Sequence, residues 1–194
     1  GSQKAFMIPP GLVFIAMNDR AWSAMEKASI PRFYWDLGKA KDYLARGQTP
    51  WTPAVPQVLQ LRAALRILGA EGLQACFARH ARQAGAVRAG VKALGLKMFA
   101  EPSHASNAVT SIRKPDGVEV GALRKLLLEK YGVVLAGGQQ RLKDEIFRIG
   151  HLGHVGESDI IATLGALGMA LKELGGSVNP AAGVAAAVQH LGGA

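Results

Sequence analysis

The sequence predicts a mixed α/β fold in which helices cover one face of a small sheet. Apolar residues recur at intervals of three and four over several long segments, which is typical of amphipathic helices. In the second half, short apolar or β-branched runs bounded by Gly, Pro or Asp alternate with these segments, as strands do. With 49% hydrophobic and 19% charged residues, the chain has the composition of a globular protein of one or two domains.

The start of the chain is predicted to form a strand followed by a helix. Residues 12–17 are a continuous apolar run that begins after Pro9-Pro10-Gly11, and such a run indicates a buried strand. Asn18 can cap the next helix, because its side-chain oxygen can accept from the first free amides. That helix presents Trp22 and Met25 on one side.

An irregular segment and two long helices are predicted next. Between residues 33 and 56 no period persists, and the prolines within residues 49–53 remove backbone donors, which indicates ordered turns. One apolar stripe predicts a helix over residues 58–68 that stops at Gly69. A second, longer stripe predicts a helix from about residue 71 to residue 94.

The remainder is predicted to alternate strands and helices. Short segments rich in apolar or β-branched residues indicate strands at residues 96–99, 109–112 and 146–149. A helix around residues 123–127 closes at Gly132, and a final strong helix over residues 157–174 carries acidic residues in its first turn. Asn179-Pro180 can start one short helix in the Ala- and Gly-rich end of the chain.

The formal net charge of +9 is concentrated in residues 62–97, where several Lys and Arg residues face a single acid, Glu71. A basic stretch invites a nucleic-acid hypothesis. Here the charges lie on the polar side of an apolar-periodic segment, and Phe77 is the one aromatic residue in the stretch. A solvated helix face explains that pattern, so no nucleic-acid partner is expected.

The composition also indicates in which cellular compartment the protein is expected. No apolar run approaches the ~20 residues needed to cross a bilayer, so no membrane partner is expected. The first residues lack the charged and apolar regions of a secretory signal. Cys76 is the single cysteine, so the chain alone can form neither a disulfide nor a thiolate metal cluster. A cytoplasmic location is therefore expected.

Several motifs together carry a family resemblance. Gly1-Ser2-Gln3-Lys4 followed by Pro9-Pro10-Gly11 closely resembles the lysine segment of class V aminotransferases. These are fold-type I pyridoxal phosphate enzymes of the alanine-glyoxylate and serine-pyruvate group, which includes relatives labelled as soluble hydrogenase small subunits. Further pieces follow in the family's order: Phe33-Tyr34-Trp35-Asp36-Leu37, Thr49-Pro50-Trp51-Thr52-Pro53, Gly72-Leu73 with His80, Gly137-Gly138, and Phe147-Arg148-Ile149-Gly150-His151-Leu152-Gly153.

The resemblance covers residues 1 to about 174 and implies that the chain corresponds to the second half of such an enzyme. Residues 1–55 are then expected to end the cofactor-binding large domain and to include an active-site segment. Residues 56–175 would form linking helices and the small α+β domain, and residues 176–194 an Ala- and Gly-rich tail. The family's first half, which supplies most of the cofactor site, is expected as a partner.

The resemblance implies a chemical role for Lys4, which taken alone is a solvated lysine near a chain end. A lysine amine can condense with an aldehyde and later act as a base, and the matched position is the family's Schiff-base lysine. Gln3 matches a residue that hydrogen-bonds the cofactor phosphate, although it could also be a polar residue beside a loop. Pro10 and Gly11 are expected to shape the substrate side of that loop. A Gly-Ser pair such as Gly1-Ser2 can be a remnant of a cloning procedure, but the family pattern includes both residues.

Three further residues receive roles from the resemblance. Arg148 lies within an apolar strand, where a charge that faces inward needs an anion, and it matches the arginine that grips the substrate α-carboxylate. Facing water is the alternative for Arg148. Thr49 and Thr52 match a segment that reaches the partner subunit's cofactor phosphate, and turn stabilisation through their hydroxyls is the alternative.

The predicted activity is pyridoxal phosphate-dependent transfer of an amino group between a small amino acid, alanine or serine, and a 2-oxo acid, glyoxylate or pyruvate. Lys4 is expected to be both the cofactor-holding lysine and the general base, in a homodimer. A non-catalytic fragment or interaction module is the alternative. A cysteine desulfurase is not expected, because Cys76 lies within a long helix. His151 and His154 lack ligand partners at suitable spacing, so no metal site is expected.

Overall fold

A computed structural model describes residues 1–193, and the chain divides into two compact units with a border between Ile67 and Leu68. The helices are α1 (Asp19–Lys27), α2 (Leu37–Ala45), α3 (Val55–Glu71), α4 (Leu73–Ala93), α5 (Val120–Tyr131), α6 (Glu157–Glu173) and α7 (Pro180–Gly192). The strands are β1 (Val109–Arg113), β2 (Ala136–Gly137) and β3 (Ile146–Gly150). The border falls within α3, whereas the predicted segment borders fall at the start of α3 and just after α6.

The first unit begins its helices where the sequence offers caps. The Ala21 amide donates to the Asn18 side chain over 3.0 Å, which confirms the predicted cap of α1. The helix α2 lies in the segment predicted to be irregular, so that prediction was incomplete. It begins at a second Asx cap, because the Lys39 amide donates to Asp36 over 3.1 Å. At nine residues, α2 is too short to display a clear apolar period.

The strand predicted over residues 12–17 is wrong, because this segment carries no strand in the structure. Alternate side chains, those of Val13, Ile15 and Met17, do point to one side, where they line an open apolar pocket with Trp22. A strand also needs a neighbouring backbone to complete its hydrogen bonds, and the described part of the first unit contains no other strand. Val13 therefore stays 72% exposed.

The predicted end of the next helix at Gly69 is also wrong. The helix α3 continues through Gly69 and ends at Glu71. The next residue, Gly72, has a backbone φ of +83°. A helix interior tolerates a glycine such as Gly69 at a modest cost in stability. A residue with a positive φ, as at Gly72, cannot continue a right-handed helix. Gly72 separates α3 from α4. The helix α4 confirms the second predicted helix, within a few residues at each end.

The second unit is built on an antiparallel sheet with the strand order β1-β3-β2. Ile112 pairs with Phe147 and Thr110 with Ile149, and all four side chains are buried on the face that the helices cover. Ser111 pairs with Arg148 on the opposite, open face. Helices on one face of a small sheet are the predicted arrangement, which is confirmed. The predicted strand at residues 96–99 is reduced to a single bridge from Met98 to Ile112.

Helices α4 and α7 pack closely against each other in the second unit. A Cβ added to Gly90 would lie 2.8 Å from the Gly183 carbonyl, and one added to Gly183 would lie 2.9 Å from Leu94. Small residues therefore let α7 approach α4 closely. The Ala- and Gly-rich composition near the end of the chain thus serves helix packing, and Asn179 caps α7 by accepting from the Ala181 amide.

Candidate functional site

Lys4 lies in a closed loop at the start of the first unit. Ser2 is fully buried and holds that loop, because its hydroxyl donates to the Pro9 carbonyl over 2.8 Å and accepts from the Leu12 amide over 3.2 Å. The Met7 amide donates to the Lys4 carbonyl over 2.9 Å, which makes a tight turn directly after Lys4. The turn leaves the Lys4 side chain exposed while its backbone is fixed.

The other predicted residues of this loop are exposed beside Lys4. Gln3 and Pro10 carry exposed side chains, so both can reach a molecule outside the loop. Gly11 has a φ of +142°, and a Cβ placed there would approach the side chain of Gln57 to 3.4 Å. A substitution at Gly11 would strain the backbone where the loop leaves its Ser2 anchor.

The predicted threonines flank Trp51 in an aromatic turn. The Thr49 hydroxyl donates to the Trp51 carbonyl over 2.7 Å, so Thr49 does stabilise the turn locally. The indole of Trp51 donates to the Tyr34 carbonyl over 3.1 Å, and the two rings stack with centroids 5.3 Å apart. Thr52 is exposed, and its hydroxyl makes no hydrogen bond within residues 1–193.

Arg148 lies in the middle of β3, on the open face of the sheet. Its side chain is half-buried, and its Nε donates to the Gly137 carbonyl on β2 over 2.9 Å. Within the described chain no carboxylate pairs with Arg148, so both Nη groups remain available. A guanidinium oriented through Nε presents its two Nη donors in the fork that matches a carboxylate.

Arg148 lines an open pocket of about 400 Å³ beside the β2–β3 connection. The lining also includes Ser111 from β1 and Arg141 from the connection, together with Phe99, Gln139 and Gln140. No acidic side chain lines this pocket. The site is therefore suited to an anion with polar groups and some apolar surface.

The loop after β3 is held to α4 by hydrogen bonds with Arg79, His80 and Gln83. Arg79 forms a two-pronged pair with Glu71, at 2.6 and 2.9 Å, and also donates to the Gly153 carbonyl over 2.9 Å. The Arg79 hydrogen bond holds the pKa of Glu71 below its usual value. The Gly153 amide donates to His80 over 3.0 Å, and Gln83 donates to the Val155 carbonyl over 2.6 Å. These contacts fix the end of the strand that carries Arg148.

His151 is fully buried between β1 and the loop that precedes it. Its Nε2 lies 2.9 Å from the Thr110 hydroxyl, and its Nδ1 lies 3.2 Å from the Asn107 carbonyl. Burial lowers the pKa of His151 from 6.5 to about 4. A neutral ring fits both contacts, because Nδ1–H can donate to the carbonyl while Nε2 accepts from the hydroxyl.

We expect the second unit to lose stability as the pH falls from about 6.5 to 4. The unfolded chain takes up a proton on His151 in this window before the folded chain does, so the loss grows with acidity. Its full size is about 2 to 3 kcal/mol at the acidic end. Urea unfolding at pH 7 and at pH 4.5 measures it, with His154→Gln as the control. His151→Gln should remove most of the difference, and an unchanged difference would contradict the assignment.

The basic residues of α4 mostly bind their own chain. Arg82 pairs with Glu157, and Arg88 donates to the Ser106 carbonyl over 3.2 Å, in addition to the pair between Arg79 and Glu71. Within residues 1–193, no three His, Cys, Asp or Glu side chains group closely enough to hold a metal ion. None of the helices described is both long and apolar enough for a membrane crossing.

The predicted site residues divide between the two units. The first unit holds Lys4 and its neighbours Gln3, Pro10 and Gly11, as well as Thr49 and Thr52, and the second unit holds Arg148. The sequence assigned no role to Ser2, Arg79, Gln83 or Arg141. The lysine-segment motif that contains Ser2 was the available signal for Ser2, and a polar residue within the predicted helix stripe was the signal for Gln83, whereas no pattern marks Arg79 or Arg141.

Known proteins match nearly all of this chain with about half of their own length. The chain is 48% identical to the soluble hydrogenase small subunit of Synechococcus sp. (strain PCC 6716), over 98% of this chain and 50% of that protein. It is 37% identical to the L-aspartate–glyoxylate aminotransferase of Paracoccus denitrificans, over 98% and 48%. The crystal structure of pyridoxamine-pyruvate aminotransferase from Mesorhizobium loti matches all of this chain and 50% of its own, with a TM-score of 0.94 and 35% identity.

The matches cover a similar share of each matched protein. The chain spans about half the length of the curated relatives it matches. A scan against models of protein families gives no match. The solved aminotransferase has nearly the same fold over the whole chain, so the loop of Lys4 and the sheet of Arg148 both belong to the shared architecture.

Proposed function

We propose that this chain, which belongs to the class V aminotransferases as the counterpart of their C-terminal half, supplies the lysine and the carboxylate-binding arginine of a transaminase. The observation that carries this function is the Arg148 guanidinium. It is held by Gly137 on an open sheet face, with both Nη donors directed at no protein acid, in a pocket lined by no acidic side chain. An α-carboxylate is the simplest ligand for that fork.

The residues of the first unit fit pyridoxal phosphate, the cofactor of the relatives. The Lys4 amine is exposed on a backbone that Ser2 fixes, so it can reach an aldehyde without disturbing the loop. Gln3 offers an amide donor next to it, and Thr52 offers a hydroxyl with no partner in the described chain. Thr49 uses its proton in the turn and can only accept from a further partner, which makes it the weaker phosphate contact.

Each of these side chains would act on the substrate or on the cofactor in a definite way. Pyridoxal phosphate, when bound, supplies an aldehyde for amine addition and a ring that accepts electrons from the substrate Cα. Lys4 would hold the cofactor and, once its amine is free, would take the proton from the substrate Cα as general base and deliver it to the cofactor carbon as general acid. Arg148 binds the α-carboxylate and fixes the direction of the bond from Cα to its hydrogen. Pro10 and Gly11 shape the loop beside this centre.

The substrate class follows from the relatives in general terms. The Paracoccus protein is named for L-aspartate and glyoxylate, and the Mesorhizobium protein for pyridoxamine and pyruvate. We assign this chain a small amino acid, with alanine and serine as first candidates, and a 2-oxo acid, with glyoxylate and pyruvate as first candidates. A cytoplasmic location, which rests on the single cysteine, remains part of the proposal.

A homodimer completed by the other half of the enzyme is the proposed functional unit. The first unit supports this, because Tyr34 and Trp35 around the Trp51 turn are 63% and 81% exposed, and Ile30 and Leu44 are exposed as well. Clusters of exposed large apolar side chains usually mark protein interfaces. Thr52 lies beside this apolar surface, where a partner subunit's phosphate could use its hydroxyl.

The proposal is tested by amino-group transfer in the complete protein, that is, this chain together with the segment that supplies the other half of the relatives' length. We expect alanine to yield its oxo acid only when glyoxylate is present, serine to yield its oxo acid only when glyoxylate or pyruvate is present, and the same sample to sediment as a dimer. The chain alone serves as the control and should be inactive.

Two outcomes would count against this proposal. A complete protein that binds pyridoxal phosphate but transfers no amino group from any amino acid would favour the alternative, a non-catalytic interaction module. A monomer with full activity at the assay concentration would remove the shared site from the proposal while leaving the reaction in place.

A further inference from the structure

We propose that Ser2 and Met7 are positioning residues for Lys4. The Ser2 hydroxyl closes the loop of residues 2–12, and this closure holds Met7 in a left-handed backbone conformation that fixes where the Lys4 amine can reach. The inference rests on the proposed function, because it concerns how the same lysine is held. It comes from two features to which the resemblance gives no role, a fully buried hydroxyl and a methionine with a φ of 62°.

Ser2 closes the loop with every polar group that it has. Besides the two hydrogen bonds of its hydroxyl, its amide donates to the Leu12 carbonyl over 3.2 Å, and its carbonyl accepts from the Ile8 amide over 3.4 Å. Residues 8–12 form no strand, so the Pro9 carbonyl and the Leu12 amide depend on the Ser2 hydroxyl. Because Ser2 is fully buried, loss of the hydroxyl would leave both groups without a partner at a position closed to water.

Met7 carries the strain of this closed loop. Its φ of 62° lies in the left-handed region, which residues with a Cβ rarely adopt. Its amide also donates to the Lys4 carbonyl over 2.9 Å, so the conformation of Met7 closes the turn that begins at Lys4. A strained residue persists only where its surroundings hold it, and the contacts of Ser2 supply that hold. Release of Ser2 would therefore let Met7 relax and the turn after Lys4 open.

The closed loop bears on the chemistry of Lys4 because proton transfer needs a fixed geometry. The Lys4 side chain is exposed, and within residues 1–193 no carboxylate pairs with its amine, so the backbone determines the region that the amine can reach. A displacement of about 1 Å at a reacting group can lower a rate roughly 100-fold. Arg148 is held by Gly137 in the other unit, so a looser loop should lower kcat and spare amino-acid binding.

The first test measures the loop itself, by hydrogen–deuterium exchange in the complete protein without cofactor. Ser2→Ala should speed exchange of the amides in residues 5–12 roughly ten-fold or more, because the loop loses two hydrogen bonds. Ser106→Ala is the matched control, since the Ser106 hydroxyl also accepts from a backbone amide, that of Ala108 over 3.1 Å, in the other unit. It should leave exchange in residues 5–12 unchanged. Unchanged exchange in Ser2→Ala would overturn the inference.

The second test measures transfer from alanine to glyoxylate in the complete protein with pyridoxal phosphate. Ser2→Ala should lower kcat roughly ten- to 100-fold, while half-saturation for alanine stays within about two-fold. Met7→Val keeps the Ser2 hydroxyl and should lower kcat to a similar extent, because a β-branched residue tolerates a positive φ least. Met7→Leu, which is unbranched at Cβ and similar in size, should keep at least about a third of the wild-type kcat.

The outcomes separate this inference from the proposed function. A pyridoxyl group on another lysine after borohydride reduction would overturn the proposed function, whereas exchange in residues 5–12 would still decide whether Ser2 closes the loop. A kcat in Ser2→Ala within about two-fold of the wild-type value would overturn the positioning role. Equal losses in Met7→Val and Met7→Leu would reduce Met7 to a packing residue and would also overturn it. If Ser2→Ala does not fold, the comparison of the two Met7 variants decides the inference.

Discussion

Lys4→Ala is expected to abolish covalent retention of pyridoxal phosphate and to slow amino-group transfer by roughly 10²- to 10⁴-fold or more. The effect is large because one amine has two tasks, attachment of the cofactor and proton transfer at the substrate Cα. The loop itself should survive, since Ser2 and the backbone of residues 8–12 hold it without using the Lys4 side chain. The variant therefore removes chemistry and leaves structure.

Borohydride reduction followed by peptide mapping measures the attachment directly. In the wild-type protein the pyridoxyl group should be found on Lys4, and Lys4→Ala should carry none. Lys27→Ala is the matched control, because Lys27 is an exposed lysine at the end of α1 in the same unit. A pyridoxyl group on Lys27, Lys39 or Lys41 in the wild-type protein would show that the loop resemblance has been assigned the wrong chemistry.

The sheet of the second unit could be predicted because its signals are local. Both β1 and β3 are short segments rich in apolar or β-branched residues, and each buries alternate side chains against the helices. The helix α5 ends at Gly132 in the left-handed conformation, as its glycine indicated. The turn of Gln140–Leu142 could not be predicted, because it depends on the close approach of Gly138 to Leu142 across the connection.

The first unit was harder to predict, because few of its apolar residues are buried within the described chain. Residues 12–17 are apolar enough for a buried strand, but the described first unit offers no strand to pair with them. Its buried residues are few and include Ser2, Ile8 and Ala64, whereas the second unit contains a continuous core around Phe147 and Leu167. The apolar pattern therefore predicts a strand that the described first unit cannot pair.

Some residues of the candidate site were predicted from the sequence, and others were not. Lys4 and Arg148 came from a resemblance, and the structure supplies what the resemblance could not, a buried anchor for the first and a free fork for the second. The motif that contains Ser2 assigned no role to its side chain, and Arg79 gave no sequence signal, because an arginine on a basic helix is an ordinary residue. Their importance lies in contacts with residues distant in the sequence, such as Leu12 and Gly153.

Arg148→Leu should raise the half-saturation concentration for the amino acid by roughly 30-fold to several thousand-fold, with little change in cofactor binding. Truncating one partner of a desolvated charge pair costs about 2 to 5 kcal/mol, and each 1.4 kcal/mol corresponds to about ten-fold in affinity. Arg148 is half-buried, so the substrate carboxylate would share a partly dry environment with it. The cofactor is expected to be held by Lys4, Gln3 and Thr52, which lie in the other unit.

The matched control for this variant is Arg124→Leu, and the comparison isolates substrate binding from local structure. Arg124 also donates through Nε to a backbone carbonyl, that of Leu135 over 2.8 Å, but it does not line the pocket. Both variants lose one backbone contact of the same kind, so both should lose similar stability. Only Arg148→Leu should lose amino-acid affinity, while visible absorbance reports retained cofactor in both. Unchanged amino-acid affinity in Arg148→Leu would make Arg148 a structural residue of the β2–β3 pair and would place the substrate carboxylate elsewhere.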